Sequence, residues 1–321
     1  MRPVGAGQGP RLPRQRGHSA HETMPLPRIG LTIGDPSGIG PEIAEKAAKD
    51  PRVTAVCQPI LYGPSAEARK AFRPGVGSAE GGQVAFDAVE SAATDALAGR
   101  LDGFTTAPIN KATWASAGLS WKGHTDLLAH LTGAAHVRMM FYAERLRVVL
   151  ATVHVPLAEV PRLLTRDRVE RTIELTASEL PRFGAAHPTI ALCGLNPHAG
   201  EDGLMGEEDT RVLQPAVESC RARGIDVSGP LPGDTVFVRA VRGEFDAVVA
   251  CYHDQGLIPV KLIAFGQAVN VTLGLPIVRT SVDHGTAYDI AGRGIADSSS
   301  MVEAVCLAAK LAASPATGLH D

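Results

Sequence analysis

Short, unbroken apolar runs set the rhythm of this chain. Arg28-Ile-Gly-Leu-Thr-Ile-Gly-Asp35, Pro59-Ile-Leu-Tyr62, the stretch through Phe104 to Thr106, Val148-Val-Leu-Ala-Thr152, Thr189-Ile-Ala-Leu192 and Ala247-Val-Val-Ala250 are mostly rich in β-branched or aliphatic residues and end in turn formers. Runs without polar alternation predict strands buried on both faces. The segments between them carry helical spacing and predict helices over 84–98, 157–164, 168–180 and 207–223, while 73–82 reads as a loop. After the first strand, Pro36-Ser-Gly-Ile-Gly40 forms a turn, and Pro41 then suits a first helical position with Glu42 at the positive end of the helix dipole. Strands alternating with helices predict an α/β fold around a largely parallel sheet. No tandem repeat or Pro/Ser linker divides the chain, so two units would have to interleave or share the sheet.

Composition narrows the class. The 321 residues hold 45% apolar and 20% charged positions, the balance of an ordinary soluble protein. A net charge of −3 argues against nucleic acid as a partner. No apolar stretch approaches the roughly 20 residues needed to span a bilayer. Residues 1–23, rich in Gly, Pro and Arg, lack the apolar centre of a secretory signal and read as a disordered leader before Met24. The cysteines, Cys57, Cys193, Cys220, Cys251 and Cys306, form no CxxC pair, which signals neither disulfides nor a thiolate zinc site and fits a cytoplasmic location.

Three of the buried runs lead into a histidine: His154, His198 and His253. In parallel α/β sheets ligands bind beyond the carboxyl ends of the strands. Three imidazoles delivered to one edge are a ligand set for a catalytic metal with an open position. They are equally compatible with three hydrogen-bonded structural histidines, because their separation in sequence does not force them to meet. Lys261, Asn270 and Arg279 flank the strand-like Ala268–Leu273; Lys with Arg suits a phosphate or carboxylate, and solvated surface charge is the alternative. Gly123-His124-Thr125-Asp126 opens a helix over 127–131, where Thr125 is either a plain N-cap or, with His124, part of an anion site. Asp234 lies in Gly229-Pro-Leu-Pro-Gly-Asp-Thr235, which reads as a loop with an exposed carboxylate. Neither a GxGxxG nor a GxxxxGK[ST] motif is present.

Longer motifs carry a family resemblance. IGDPSGIGPEI (33–43), TAPINK (106–111), GHTDLL (123–128), GLNPHAGE (194–201), GPLPGDT (229–235), YHDQGLIPVK (252–261) and VNVTLGLPIVRTSVDHGTAYDIAGRG (269–294) resemble the 4-hydroxythreonine-4-phosphate dehydrogenase family. The resemblance implies two α/β/α domains of the isocitrate and isopropylmalate dehydrogenase type, with mostly parallel sheets and a cleft between them. One domain would comprise 24–125 with 285–321, the other 126–284, carrying the metal ligands and the dimer interface. It implies a homodimer with the active site at the subunit interface. His154, His198 and His253 would hold one divalent ion (Zn2+, Mg2+ or Co2+), one of them coming from the partner. His124, Thr125, Lys261, Asn270 and Arg279 would bind the phosphorylated small-molecule substrate. Asp234 and Lys111 would stand near the reacting centre.

The activity so implied is the NAD- or NADP-dependent oxidation of 4-phosphooxy-L-threonine to 2-amino-3-oxo-4-phosphooxybutanoate, which decarboxylates to 3-amino-2-oxopropyl phosphate for pyridoxal 5′-phosphate synthesis. TAPINK, GLIPVK and a short segment between Tyr62 and Val84 also resemble a branch acting on D-threonate or D-erythronate 4-phosphate. cis-Dihydrodiol dehydrogenase and phosphate acyltransferase chemistry are the more distant alternatives.

Overall fold

A computed structural model describes residues 25–314, so the leader expected over 1–23 lies outside the described residues. The strands are β1 (Arg28–Thr32), β2 (Gln58–Tyr62), β3 (Gly103–Thr106), β4 (Arg138–Ala143), β5 (Leu146–Leu150), β6 (Ile190–Cys193), β7 (Val227–Leu231), β8 (Ala247–Ala250), β9 (Val269–Leu273) and β10 (Arg279–Ser281). They form one sheet in the order β2-β1-β3-β10-β9-β4-β5-β8-β6-β7. The strands β2-β1-β3-β10 are mutually parallel, as are β5-β8-β6-β7. The two blocks are joined through antiparallel pairings of β9 and β4. The sheet is therefore mostly parallel and runs unbroken through both halves of the chain.

The unbroken apolar runs have a direct cause. Val149, Val249 and Leu192 face one side of the sheet, while their neighbours Val148, Val248 and Ala191 face the other, and all six are fully buried. The first side packs α1 (Gly40–Ala48), α5 (Arg166–Glu179), α6 (Gln214–Ala222) and α9 (Ser299–Ala313). The second packs α7 (Gly233–Val241) and α8 (His253–Ala264). Each such valine or leucine contributes about 1.5–3 kcal/mol of burial. A third cluster gathers Phe104 with Trp114 of α3 (Lys111–Ser116) and Leu127 of α4 (His124–Thr132) under α2 (Ala79–Leu97). Among the described residues no helix is long and apolar enough to cross a membrane.

Several elements differ from the sequence expectation. α2 begins inside the stretch read as a loop, because Ser78 caps it: its Oγ accepts the Gly81 N–H at 3.0 Å. The single helix expected over 207–223 is a π turn, Asp209–Leu213, followed by α6. Pro215 lacks the N–H that would continue α-helical bonding there. The segment 229–235 is not a loop: its first half belongs to β7 and its second opens α7, placing Asp234 in a helical first turn.

Gly82 gives a test of the α2–α3 contact. In an open helix Gly→Ala stabilises by about 1 kcal/mol. A Cβ on Gly82, however, would lie well inside van der Waals distance of the Thr113 carbonyl oxygen. Gly82→Ala is therefore expected to destabilise the fold by about 1–3 kcal/mol, read as a lowered urea midpoint. A raised midpoint would show that the helices separate freely.

Candidate active site

The strands β5, β8 and β6 are adjacent and parallel, so their carboxyl ends lie along one edge of the sheet. His154 follows β5, His253 opens α8 directly after β8, and His198 sits in the turn after β6. The His154 and His253 rings approach to 5.4 Å between centroids. His198 is turned outward, its side chain 63% exposed, with Nδ1 3.0 Å from the Glu201 carboxylate. The structure thus brings two of the three imidazoles together and leaves the third apart. Among the described residues of one chain, no three His, Cys, Asp or Glu side chains close a metal site.

The donor chemistry nevertheless suits a divalent ion. The His154 pKa is held below the usual histidine value by burial, then by Lys111 and by His253, which favours the neutral ring a metal needs. His253 and His198 each place Nδ1 beside a carboxylate, Asp254 at 2.7 Å and Glu201 at 3.0 Å. With Nδ1–H donating to the carboxylate, Nε2 keeps its lone pair and gains basicity. The pKa of His198 is raised, first by its hydrogen bond to Glu201 and then by that carboxylate's charge, with Asp234 adding a smaller push. Asp234 therefore stands near His198.

The expected substrate-binding residues hold orphaned polar atoms. Arg279 on β10 is 2% exposed, so the surface-charge alternative does not hold for it. Its guanidinium donates to Thr272 Oγ1 at 2.9 Å and Thr106 Oγ1 at 2.6 Å, both neutral, and its Nε has no partner. Burial alone pulls its pKa down to about 9. His124, the first residue of α4, stacks edge-on against Trp114 at 5.8 Å, and its Nε2 is sequestered without a hydrogen bond. Its pKa lies well below the usual value through burial, then through Arg279 and Lys111, which places those two cations near it. The Oδ1 of Asn270, on β9, is likewise buried and unmatched. Three buried polar groups left without partners in neighbouring elements are what an absent polar ligand would satisfy.

Other expected residues are placed less directly. Thr125 is the second residue of α4, and Gly123 rather than Thr125 occupies the N-cap. Lys111 opens α3, exposed, and its charge adds to the lowering of the His124 and His154 pKa values. Lys261 on α8 is held by Asp283 through both its carboxylate and its carbonyl, the latter at 3.0 Å. Sequence reasoning missed the partners Asp283 and Glu201. The spacing of Glu201, three residues after His198, was the available signal for the second; nothing local announces Asp283, which is distant from Lys261 in sequence.

Comparison with known proteins gives the family. The family model described as "Pyridoxal phosphate biosynthetic protein PdxA" matches residues 40–308. A 4-hydroxythreonine-4-phosphate dehydrogenase of Geobacter metallireducens is 44% identical, over 89% of this chain and 96% of its own. A D-threonate 4-phosphate dehydrogenase of Cupriavidus necator is also 44% identical, over 89% and 98%. Among solved structures, a 4-hydroxythreonine-4-phosphate dehydrogenase of Klebsiella pneumoniae superposes with a TM-score of 0.81 at 39% identity, over 89% and 98%. At the level of fold alone, an isocitrate dehydrogenase of Methylococcus capsulatus matches at 20% identity and a TM-score of 0.50, over 90% and 87%. The chain belongs to the pyridoxal phosphate biosynthetic protein PdxA family and is a dehydrogenase of the isocitrate dehydrogenase-like fold.

Proposed function

We propose that this enzyme oxidises the secondary alcohol of a phosphorylated hydroxy acid with NAD or NADP, and that 4-phosphooxy-L-threonine is its substrate. One observation carries the reading. Arg279 is buried with no carboxylate partner among the described residues and donates only to two neutral threonine hydroxyls there, while Nε2 of His124 and Oδ1 of Asn270 are buried without partners among those residues. A buried guanidinium costs several kcal/mol unless an anion completes it, and phosphate or carboxylate matches its fork. A second reading, D-threonate 4-phosphate, is favoured by the Cupriavidus necator relative, whose identity to this chain equals that of the biosynthetic one.

The residues divide the work. Arg279, Asn270, His124, Thr125 and Lys261 fix the anionic ends of the substrate, so that its alcohol faces the strand ends carrying the histidines. Lys111 and Asp234 border that alcohol and are the side chains offered for its proton, with a water as the alternative acceptor. A divalent ion (Zn2+, Mg2+ or Co2+) held by His154, His198 and His253 would supply Lewis acidity toward the hydroxyl, and NAD or NADP would accept the hydride. Oxidation leaves a ketone β to a carboxylate, and decarboxylation follows because that ketone accepts the electrons of the broken C–C bond.

A second copy of the chain completes this picture. α8 exposes Ile258, Leu262 and, at its end, Phe265, at 67%, 85% and 81%. An apolar face of this kind on the helix that begins at His253 suits burial against a partner. The split we propose, residues 24–125 with 285–321 against 126–284, would put this helix on the dimer-forming half. The dehydrogenase reading is tested by offering the purified protein 4-phosphooxy-L-threonine, D-threonate 4-phosphate and D-erythronate 4-phosphate. Each is combined with either nicotinamide cofactor and each metal, and absorbance of reduced cofactor is followed. Absence of reduction in every combination would sink the reading. Turnover of the sugar-acid phosphates alone would replace the first substrate by the second.

A further inference from the structure

The turn that carries His198 is built in an unusual way. Five consecutive residues, His198 to Asp202, have φ between 41° and 81°, and only Gly200 among them is a glycine. Left-handed backbone costs an ordinary residue roughly 1–2 kcal/mol, so four of them persist only where the surroundings over-determine the shape. One side chain fixes the residues that lead into the turn. Asp209, at the start of the π turn, is fully buried. Its Oδ1 accepts the Leu195 N–H at 2.8 Å, and its Oδ2 accepts the Asn196 N–H at 3.1 Å and Asn196 Nδ2 at 3.0 Å.

The surrounding backbone is shaped to this carboxylate. A Cβ on Gly194 would stand 3.0 Å from Asp209 Oδ1 and 2.8 Å from the Ala199 Cα, and one on Gly200 would stand 3.1 Å from the Asp209 Cβ. The Gly194 carbonyl is tied in turn to the strand end bearing His253: Gln255 Nε2 donates to it at 2.7 Å, while Gln255 Oε1 accepts the Cys251 N–H at 2.7 Å. Asp209 forms no ion pair among the described residues, and its three hydrogen bonds there all go to the strand-to-turn junction.

We propose that Asp209 is a positioning residue that fixes the left-handed turn and thereby holds His198 where it can ligate the metal. This rests on the reading of His198 as a ligand. Asp209 acts through Leu195 and Asn196. An asparagine in its place would turn an NH2 toward N–H donors, so the turn would lose acceptors while the core kept its volume.

The test is a calorimetric titration of the metal-free protein with Co2+ alone, on wild type, Asp209→Asn and His198→Ala, followed by kinetics. Asp209→Asn is expected to weaken Co2+ binding by roughly 10–100-fold, the usual effect of removing an outer partner of a metal ligand. Saturating Co2+ should restore most of kcat in Asp209→Asn but not in His198→Ala, with KM for the phosphorylated substrate unchanged within about twofold. Should Asp209→Asn not fold, Asn196→Ala, which removes the Nδ2 bonds to the Asp209 and Glu208 carboxylates but leaves both backbone N–H bonds to Asp209, is expected to show the same loss in weaker form. Native Co2+ affinity in the folded variant, with His198→Ala defective, would overturn the role of Asp209 and leave the ligand reading standing. Native affinity and activity in His198→Ala would overturn both.

Discussion

Replacing Arg279 by methionine is expected to raise KM for the phosphorylated substrate by about a hundredfold to a thousandfold while the protein melts at or above the wild-type temperature. The two effects have one origin. A guanidinium with 2% exposure, bonded among the described residues only to Thr106 and Thr272, keeps a desolvated charge without an opposite one among them. In the empty protein that charge is a liability, and replacing buried ionic groups by apolar side chains of similar volume is often neutral or stabilising by 1–4 kcal/mol. Two threonine hydroxyls lose a donor in exchange, at a cost of about 1 kcal/mol each. With substrate bound, the same charge meets an anion in a dry pocket, where removing one partner costs about 2–5 kcal/mol. A melting curve and a substrate titration therefore move independently. A collapse of thermal stability with KM preserved would show Arg279 to be structural and would remove the observation on which the substrate reading depends.

Most of the legible strands are those buried on both faces; β2, read as Pro59–Tyr62, is the exception, an edge strand that leaves Gln58 and Leu61 exposed. β6 and β8 could be read directly because every residue in them is apolar, and β5 because Arg147 alone interrupts its apolar run; the three turned out to be neighbours. β4 and β10 could not. β4 mixes half-buried and buried positions in Arg138-Met-Met-Phe-Tyr-Ala143, and β10 spans only Arg279–Ser281. α8 was hidden by Pro259 in its interior. At the site, the three histidines and the anion-binding set were legible as residue types at strand ends and in family motifs. Their partners were not, since Asp209 reaches Leu195 and Asn196 across 14 and 13 residues and Lys261 finds Asp283 across 22. Nor does Pro-His-Ala-Gly-Glu-Asp-Gly announce a left-handed turn. Ala, Glu and Asp pay a steric penalty there that local sequence gives no reason to accept; only tertiary hydrogen bonds reverse that preference.

Alanine at His154, His198 or His253 is expected to abolish metal binding and reduce kcat by at least about a thousandfold, several kcal/mol of lost charge stabilisation, with the fold retained. The more informative outcome comes from mixing the inactive proteins in pairs after mild dissociation. One chain places His154 and His253 near each other and sends His198 outward, and its described residues close no three-ligand site. Sites shared across a two-fold axis would therefore draw two histidines from one subunit and one from the other. In a hybrid of two variants whose lesions belong to different contributions, both lesions fall in one site and leave the second site whole. Random re-association makes half the dimers hybrid, so such a mixture should regain about a quarter of wild-type activity. When both lesions belong to the same contribution, each site carries one of them and nothing returns. Two of the three pairwise mixtures should thus recover activity, and the silent one identifies the two histidines that a single chain supplies. Silence in all three, from variants shown to exchange subunits, would mean that each chain builds its metal site alone, and the shared-site reading would have to be abandoned.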